Sequence, residues 1–349
     1  KVMYANDTHI KYSAPAVWYE AHISYPDFEM YGNFLAGIPV ALVGHTRNHA
    51  WGLTMFEDDD SDFFRERFAT PDSSQVERFN TTEPVEKHRE TILVKDGKDT
   101  SFTVYTTNNR PIINEFLPVK FEEPISMYWN YTAFENELIQ AFYTLNYAMQ
   151  MEEFKHGVSL ISSPGLNVSY GDASGNIGMW SASKLMVRPE GEYGKLFINA
   201  FDSAGNYSGY LPFSENPQYE NPESGYIQSA NNFHAPLSGN GYPGYYAPNT
   251  RYDRIGNLLE KSFPATTEKM KEVVLDTYSE TAHAMAKEMS KILKNSKTTF
   301  TESETKALNL LSNWDGYHHL TSQEPVVFYK MLYHTMHLML ADEMGDEIF

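Results

Sequence analysis

Short apolar runs separated by turns dominate the first part of the chain, up to about residue 130. Residues 91–94 and 101–105, for example, are rich in β-branched and aromatic side chains and flank a turn that contains Gly97. This pattern predicts a β-hairpin. Apolar residues then recur at helical spacing over 132–156 before strand-like runs return, so we expect a helical insertion within a sheet-rich segment.

A second change of pattern follows Pro264, after which the apolar positions are again spaced as on helices. Helices are predicted at 267–294, at about 302–313 and at 324–342. We therefore predict an α+β protein with two parts, a sheet-rich core at 1–263 and a helical segment at 264–349.

Composition excludes several classes of function. The chain has 46 acidic and 27 basic residues, a formal charge of −19, which argues against nucleic-acid binding. It has no cysteine, so disulfides, thiolate nucleophiles and cysteine-ligated zinc are excluded. No apolar run is long enough for a membrane-spanning helix.

The densest charge lies at residues 57–62, where five of six side chains are carboxylates. Such a run is either a solvated loop or a calcium site, because hard cations prefer clustered carboxylate and carbonyl oxygens. Its spacing does not match an EF-hand loop. Both interpretations stay open on the residues alone.

Two further features admit a catalytic and a structural interpretation. His9 is either an acid–base group or an ordinary hydrogen-bonding histidine. Asn231 and Asn232 lie in a segment rich in Gly, Pro, Asn and Tyr at 203–250. Paired asparagines usually mark a turn, but a buried carboxamide can instead donate to a developing oxyanion.

Taken in order, several short sequences resemble the β-subunit of penicillin-acylase-type N-terminal-nucleophile hydrolases. They include Ala-Asn-Asp-Thr-His at 5–9, Ala-Pro-Ala-Val-Trp-Tyr-Glu at 14–20, Gly-Ile-Pro at 37–39, Trp-Gly-Leu-Thr at 51–54, Asn-Pro-Glu-Ser-Gly-Tyr at 221–226, Arg-Tyr-Asp-Arg-Ile at 251–255 and Trp-Asp-Gly at 314–316. The resemblance covers essentially the whole chain.

The resemblance implies a four-layer α-β-β-α sandwich, incomplete at both ends of the β-subunit. It implies hydrolysis of a linear amide in an N-acylated small molecule, such as a β-lactam side chain or an N-acyl amine, through an acyl-enzyme. The nucleophile would be an N-terminal Ser whose own amine is the base, formed when a precursor cuts itself into α- and β-subunits. This chain begins with Lys1, so we expect it to be inactive by itself.

Four residue roles are implied at the reaction centre. His9 would hold or tune the Ser hydroxyl. The Met55 backbone N–H and the Asn231 amide would be the two oxyanion donors, and Arg251 would order the site. We therefore expect His9, the Met55 backbone and Asn231 to line one cleft between two stacked sheets, with Arg251 close behind Asn231.

Two further sets of residues follow from the same resemblance. The acyl pocket would include Ile10, Val43 and Leu53, whose apolar side chains favour an aliphatic or aromatic acyl group. A structural calcium ion would be held by Asp59, the Ser61 carbonyl and Asp62, with another ligand from the α-subunit.

The implied partners are the small-molecule substrate and the α-subunit, and the implied location is periplasmic or secreted. Two other hypotheses remain at this stage. The chain could be a non-catalytic family fragment that only binds a ligand or calcium, or a calcium-binding all-β module with a helical tail.

Overall fold

The computed structural model describes residues 1–8, 10–188, 194–202, 209–234 and 242–345. The chain divides into two compact units, Lys1–Ala247 and Pro248–Phe349. The first contains the strands and the second is helical.

The first unit is built mainly from short strands. In chain order they are β1 Trp18–Tyr25, β2 Phe28–Leu35, β3 Val43–Thr46, β4 His49–Met55, β5 Ser61–Arg65, β6 Gln75–Arg78, β7 Thr81–Pro84, β8 Glu86–Ile92, β9 Thr100–Thr107, β10 Arg110–Pro111, β11 Ile125–Trp129, β12 Leu166–Asp172, β13 Ile177–Ala182, β14 Met186–Val187, β15 Ile198–Asn199, β16 Gly209–Tyr210 and β17 Gln218–Glu220. The helices of this unit are α1 Asn130–Ala133, α2 Leu138–Tyr147 and α3 Met151–Ser159, with 3₁₀ turns at Asn114–Phe116 and Phe213–Glu215.

The largest sheet of the described residues has the strand order β1-β2-β3-β4-β12-β13-β17. All of its neighbouring strands are antiparallel. Smaller sheets join β10-β9-β8, β11-β5-β15, β14-β16 and β6-β7. Strand β4 lies in the middle of the large sheet, where β12 pairs with its whole length and β3 pairs only with its first half.

The two faces of the large sheet differ in polarity because successive side chains of a strand point to opposite faces. On β12, Leu166, Val168 and Tyr170 are buried in the main hydrophobic cluster, whereas the intervening Asn167 and Ser169 carry hydrogen-bonding groups. Helices α2 and α3 cover the apolar face with side chains such as Phe142, Leu145, Phe154 and Val158. The opposite, polar face is therefore the one that can present chemistry.

The second unit consists of helices α4 Thr250–Lys261, α5 Thr267–Val274, α6 Glu280–Lys294, α7 Glu302–Asn313 and α8 Glu324–Met344. Its core contains Ala286, Leu311, Trp314 and Phe328. Helix α7 begins with a capping box, in which Thr301 accepts from the Glu304 backbone N–H and the Glu304 side chain accepts from the Thr301 backbone.

The α+β class predicted from the sequence is confirmed, and so is the hairpin, formed by β8 and β9. The segment at 267–294 was predicted as one stretch but forms two helices, because Ser279 caps the start of α6 by accepting from the Ala282 N–H. The predicted boundary after residue 263 falls within the second unit, between α4 and α5. Within the described residues, no helix combines the length and the apolar character needed to cross a bilayer.

Candidate active site

The end of β4 is where the structure joins distant parts of the chain. Strand β4 pairs with β12 from His49↔Asp172 to Met55↔Leu166, and its ladder with β3 runs over His45↔Ala50 and Gly44↔Trp51. Beyond that ladder two side-chain amides bind the β4 backbone. Asn6 Nδ2 donates to the Leu53 carbonyl at 3.0 Å, and Asn231 Nδ2 donates to the Met55 carbonyl at 3.0 Å.

The hydrogen-bond pattern fixes the direction of the Met55 peptide groups. Phe56 N donates to the Gly165 carbonyl at 3.0 Å, so Phe56 and Gly165 form a hydrogen-bonded pair of the antiparallel ladder. Such pairs alternate with non-hydrogen-bonded pairs, and the preceding pair, Met55 and Leu166, is therefore not hydrogen-bonded. The N–H and C=O of Met55 therefore point away from β12. Because Asn231 binds that C=O, the Met55 N–H and the Asn231 carboxamide lie on the same side of β4.

The backbone around Asn231 is held in an unusual conformation. Asn231 has a φ of 60°, in the left-handed region that asparagine tolerates better than most residues. Its carbonyl accepts from Ala247 N at 2.7 Å, and the buried Asn232 accepts from Ala230 N through its side chain at 3.1 Å. These bonds within the loop place the Asn231 carboxamide against the end of β4.

A buried network of polar side chains connects the end of β4 to the loop that carries Asn231. Asn167, which is 1% exposed, donates through Nδ2 to Thr54 Oγ1 and Ser229 Oγ, both at 3.3 Å, and accepts from Ser181 Oγ at 2.6 Å. Thr54 Oγ1 and Ser229 Oγ share a bond of 2.7 Å. Ser229 thereby ties the loop that carries Asn231 to the polar face of the sheet.

The first residues of the chain lie across this polar face. The Tyr4 hydroxyl and Ser169 Oγ share a hydrogen bond of 2.5 Å, and burial raises the pKa of Tyr4, so this hydroxyl stays neutral. A Cβ on Gly52 would lie 2.3 Å from the Tyr4 hydroxyl oxygen, so only glycine permits this approach. His9 follows three residues after Asn6 and lies outside the described residues, so its role stays a prediction.

The resemblance implies roles for four further residues. Val43 and Leu53 are both 7% exposed and belong to the hydrophobic cluster under α2 and α3, whereas Ile10 is 47% exposed. Arg251 is an exposed residue in the first turn of α4, in the second unit. The roles predicted for these four residues stay predictions.

The acidic run directly after β4 is neither a solvated loop nor a single carboxylate cluster. Asp58 accepts from Ser183 Oγ at 2.6 Å, and Asp60 accepts from Ser163 Oγ at 2.7 Å. Asp60 also accepts from the indole of Trp129 at 3.2 Å. The carboxylates thus point to different partners.

The two carboxylates predicted to bind calcium are paired with a residue that the sequence did not suggest. The Arg188 guanidinium lies 3.0 Å from Asp62 Oδ2 and 3.4 Å from Asp59 Oδ2. Burial raises the pKa of Asp59 to about 6, and Arg188 opposes that rise. Calcium needs six to eight oxygen ligands, and the described residues contain no group of three or more acidic or histidine side chains able to hold a metal. Both carboxylates are paired with the Arg188 guanidinium, and the predicted calcium site stays a prediction.

Several residues of the site were not singled out from the sequence. They are Asn167, Ser181, Thr54, Ser229 and Arg188. The signal for Asn167 was present in β12, where polar and apolar side chains alternate, but alternation indicates a face and not a contact. Nothing local pairs Arg188 with residues more than a hundred positions earlier.

The whole chain, residues 1–349, matches the family model described as penicillin amidase. With the α+β fold and the paired Met55 and Asn231, this match shows that the chain belongs to the penicillin amidase family.

Among its relatives, the chain is 25% identical over 361 residues to the acyl-homoserine lactone acylase QuiP of Pseudomonas fluorescens, covering 99% of this chain and 44% of that protein. It is 23% identical to penicillin G acylase of Escherichia coli, covering 90% of this chain and 37% of that protein. The chain therefore spans less than half the length of these relatives.

Its fold is similar to that of the thermostable penicillin G acylase from Alcaligenes faecalis. The TM-score is 0.69 at 22% identity, covering 88% of this chain and 55% of the other. At this identity the likeness concerns the fold alone, and it agrees with the fold that the sequence resemblance implied.

Proposed function

We propose that this chain forms part of an amidase that hydrolyses the linear amide bond of an N-acylated small molecule. Family membership supports the reaction class. The observation that carries the proposal is the contact between Asn231 and Met55, which are 176 residues apart. It sets a carboxamide and a backbone N–H on the same side of β4.

These two groups suit the chemistry of amide cleavage. Attack on an amide carbonyl places negative charge on its oxygen, and preorganised N–H donors stabilise that oxyanion. In the proposal the Met55 N–H and the Asn231 carboxamide are the two donors. The bond from Asn231 to the Met55 carbonyl orients the carboxamide, and Asn167 and Ser229 hold the strand and the loop together behind it.

The rest of the catalytic centre is proposed from the family resemblance. The nucleophile is the hydroxyl of an N-terminal Ser outside these 349 residues, with its own amine as the base and His9 beside it. An α-subunit from the same precursor completes the site, and the mature enzyme is periplasmic or secreted. The names of the relatives support two substrate classes, β-lactams with an acyl side chain and N-acyl homoserine lactones.

The test uses the full-length protein that contains this chain and a panel of phenylacetyl and fatty-acyl amides. We expect Asn231→Ala to lower kcat by about 10²–10³, because one oxyanion donor is lost, with little change in KM. Asn48→Ala is the matched control, since it removes an exposed carboxamide at the other end of β4. Equal activity of the two variants would refute the donor role of Asn231. Ligand binding without turnover by the unaltered protein would favour the non-catalytic alternative.

A further inference from the structure

A buried arginine binds the acidic segment at two points. Arg188 follows β14, and its Nε donates to Asp62 Oδ2 at 3.0 Å while Nη2 donates to Asp62 Oδ1 at 3.2 Å. The same Nη2 donates to the backbone carbonyl of Asp59 at 3.0 Å and lies 3.4 Å from Asp59 Oδ2. One guanidinium therefore contacts two carboxylates and a carbonyl, which are the kinds of oxygen that a hard cation would take.

The cluster is removed from water. The side chains of Arg188 and Asp59 are each 4% exposed, and that of Asp62 is 0% exposed. Gly194 closes over the pair, because a Cβ there would lie 2.2 Å from Asp59 Oδ2 and 2.9 Å from Arg188 Cζ. Leaving buried carboxylates without a counter-charge is strongly destabilising, so a cation at this position stabilises the folded state.

The geometry between Asp59 and Asp62 suits the arginine and not a metal ion. A divalent ion between Asp59 and Asp62 would lie against the positive charge of Arg188, which already uses both oxygens of Asp62. The neighbouring Asp58 and Asp60 bind Ser183 and Ser163 instead. They do not add ligands to the pair.

We propose that the Arg188 guanidinium is a built-in cation that takes the place of a divalent ion between Asp59 and Asp62, so that the acidic segment needs no calcium. Arg188 thereby joins the end of β14 to the start of β5.

The experiment measures the thermal unfolding midpoint with about 5 mM calcium, above the ~1 mM affinity of weak extracellular sites, and with EDTA. For the unaltered protein we expect the same Tm in both. A Tm that rises with calcium, and no longer rises in Asp62→Asn, would overturn the proposal. The comparison of the unaltered protein with calcium and with EDTA tests the proposal even if the variants do not fold.

Two substitutions of Arg188 test its role as the cation. Arg188→Gln should lower Tm and make it respond to calcium, because the two carboxylates lose their counter-charge. Arg188→Lys should stay insensitive to calcium because it keeps the charge. Arg89→Gln, an exposed arginine of β8, is the matched control and should change neither property. A folded Arg188→Gln protein that is as stable as the unaltered one, or that ignores calcium, would contradict the proposal.

Discussion

Replacing Asp58 by asparagine should stabilise the protein at alkaline pH and have a smaller effect in acid. The residue is half-buried as a whole, but its carboxylate is enclosed. It accepts from Ser183 Oγ at 2.6 Å, and a Cβ on Gly165 would lie 1.7 Å from its Oδ1. Burial raises the pKa of Asp58 from 3.8 to about 7, and Asp60 and Asp59 add to the rise while Ser183 opposes it.

The sign of the effect follows from proton binding. Between the unfolded and the folded pKa the native state binds more protons, so this carboxyl lowers the free energy of unfolding as pH rises. A rise from 3.8 to about 7 corresponds to about 4 kcal/mol once the folded group is ionised. About 2.5 kcal/mol of that cost develops between about pH 5 and about pH 8. The carboxamide introduced by Asp58→Asn would carry no charge and could still accept from Ser183.

The assay is denaturant unfolding followed by tryptophan fluorescence at both pH values. The variant should gain about 2–3 kcal/mol relative to the unaltered protein on going from about pH 5 to about pH 8. Asp96→Asn, in the exposed turn of the β8–β9 hairpin, is the control and should show no such gain. A difference between Asp58→Asn and the unaltered protein that does not change with pH would refute the reasoning.

Two further predictions concern buried polar groups. Glu66→Gln should lower the free energy of unfolding, measured with denaturant, by about 3–5 kcal/mol, because the 1% exposed Glu66 binds Arg78 at 2.5 Å and Arg110 at 3.3 Å. A loss below about 1 kcal/mol would contradict this. Asn146→Ala should lower the free energy of unfolding by about 2–4 kcal/mol and speed hydrogen exchange of the Ala41 amide. Asn146 binds both the N–H and the C=O of the buried Ala41 at 2.8 Å. An unchanged exchange rate would show that another group takes over these bonds.

Local pattern was sufficient for much of the fold. Two runs rich in β-branched and aromatic residues around a turn predicted the hairpin of β8 and β9, and the apolar spacing of the last third predicted α7 and α8 almost to the residue. These elements depend on contacts between near neighbours, so their signal lies within a short window. The break at Ser279 also had a local signal, a capping residue, but one that competed with continuous helical spacing.

The candidate site required the tertiary structure. The sequence by itself determined that Asn231 lies in a loop with conformational freedom and that Met55 ends an apolar strand. Only the order β4-β12-β13 and the anchoring of Ser229 bring the carboxamide to the Met55 carbonyl. Such contacts leave no local trace, because they depend on where distant strands pair.

The acidic run illustrates the same limit most sharply. Its composition determined that the carboxylates needed compensation, since five in six positions repel one another. Whether a metal ion, water or a side chain compensates these charges depends on which group the tertiary structure places beside them. The tertiary structure brings Arg188 into contact from 126 residues away. A buried guanidinium between Asp59 and Asp62 and a bound calcium ion are compatible with the same local sequence, and only packing decides between them.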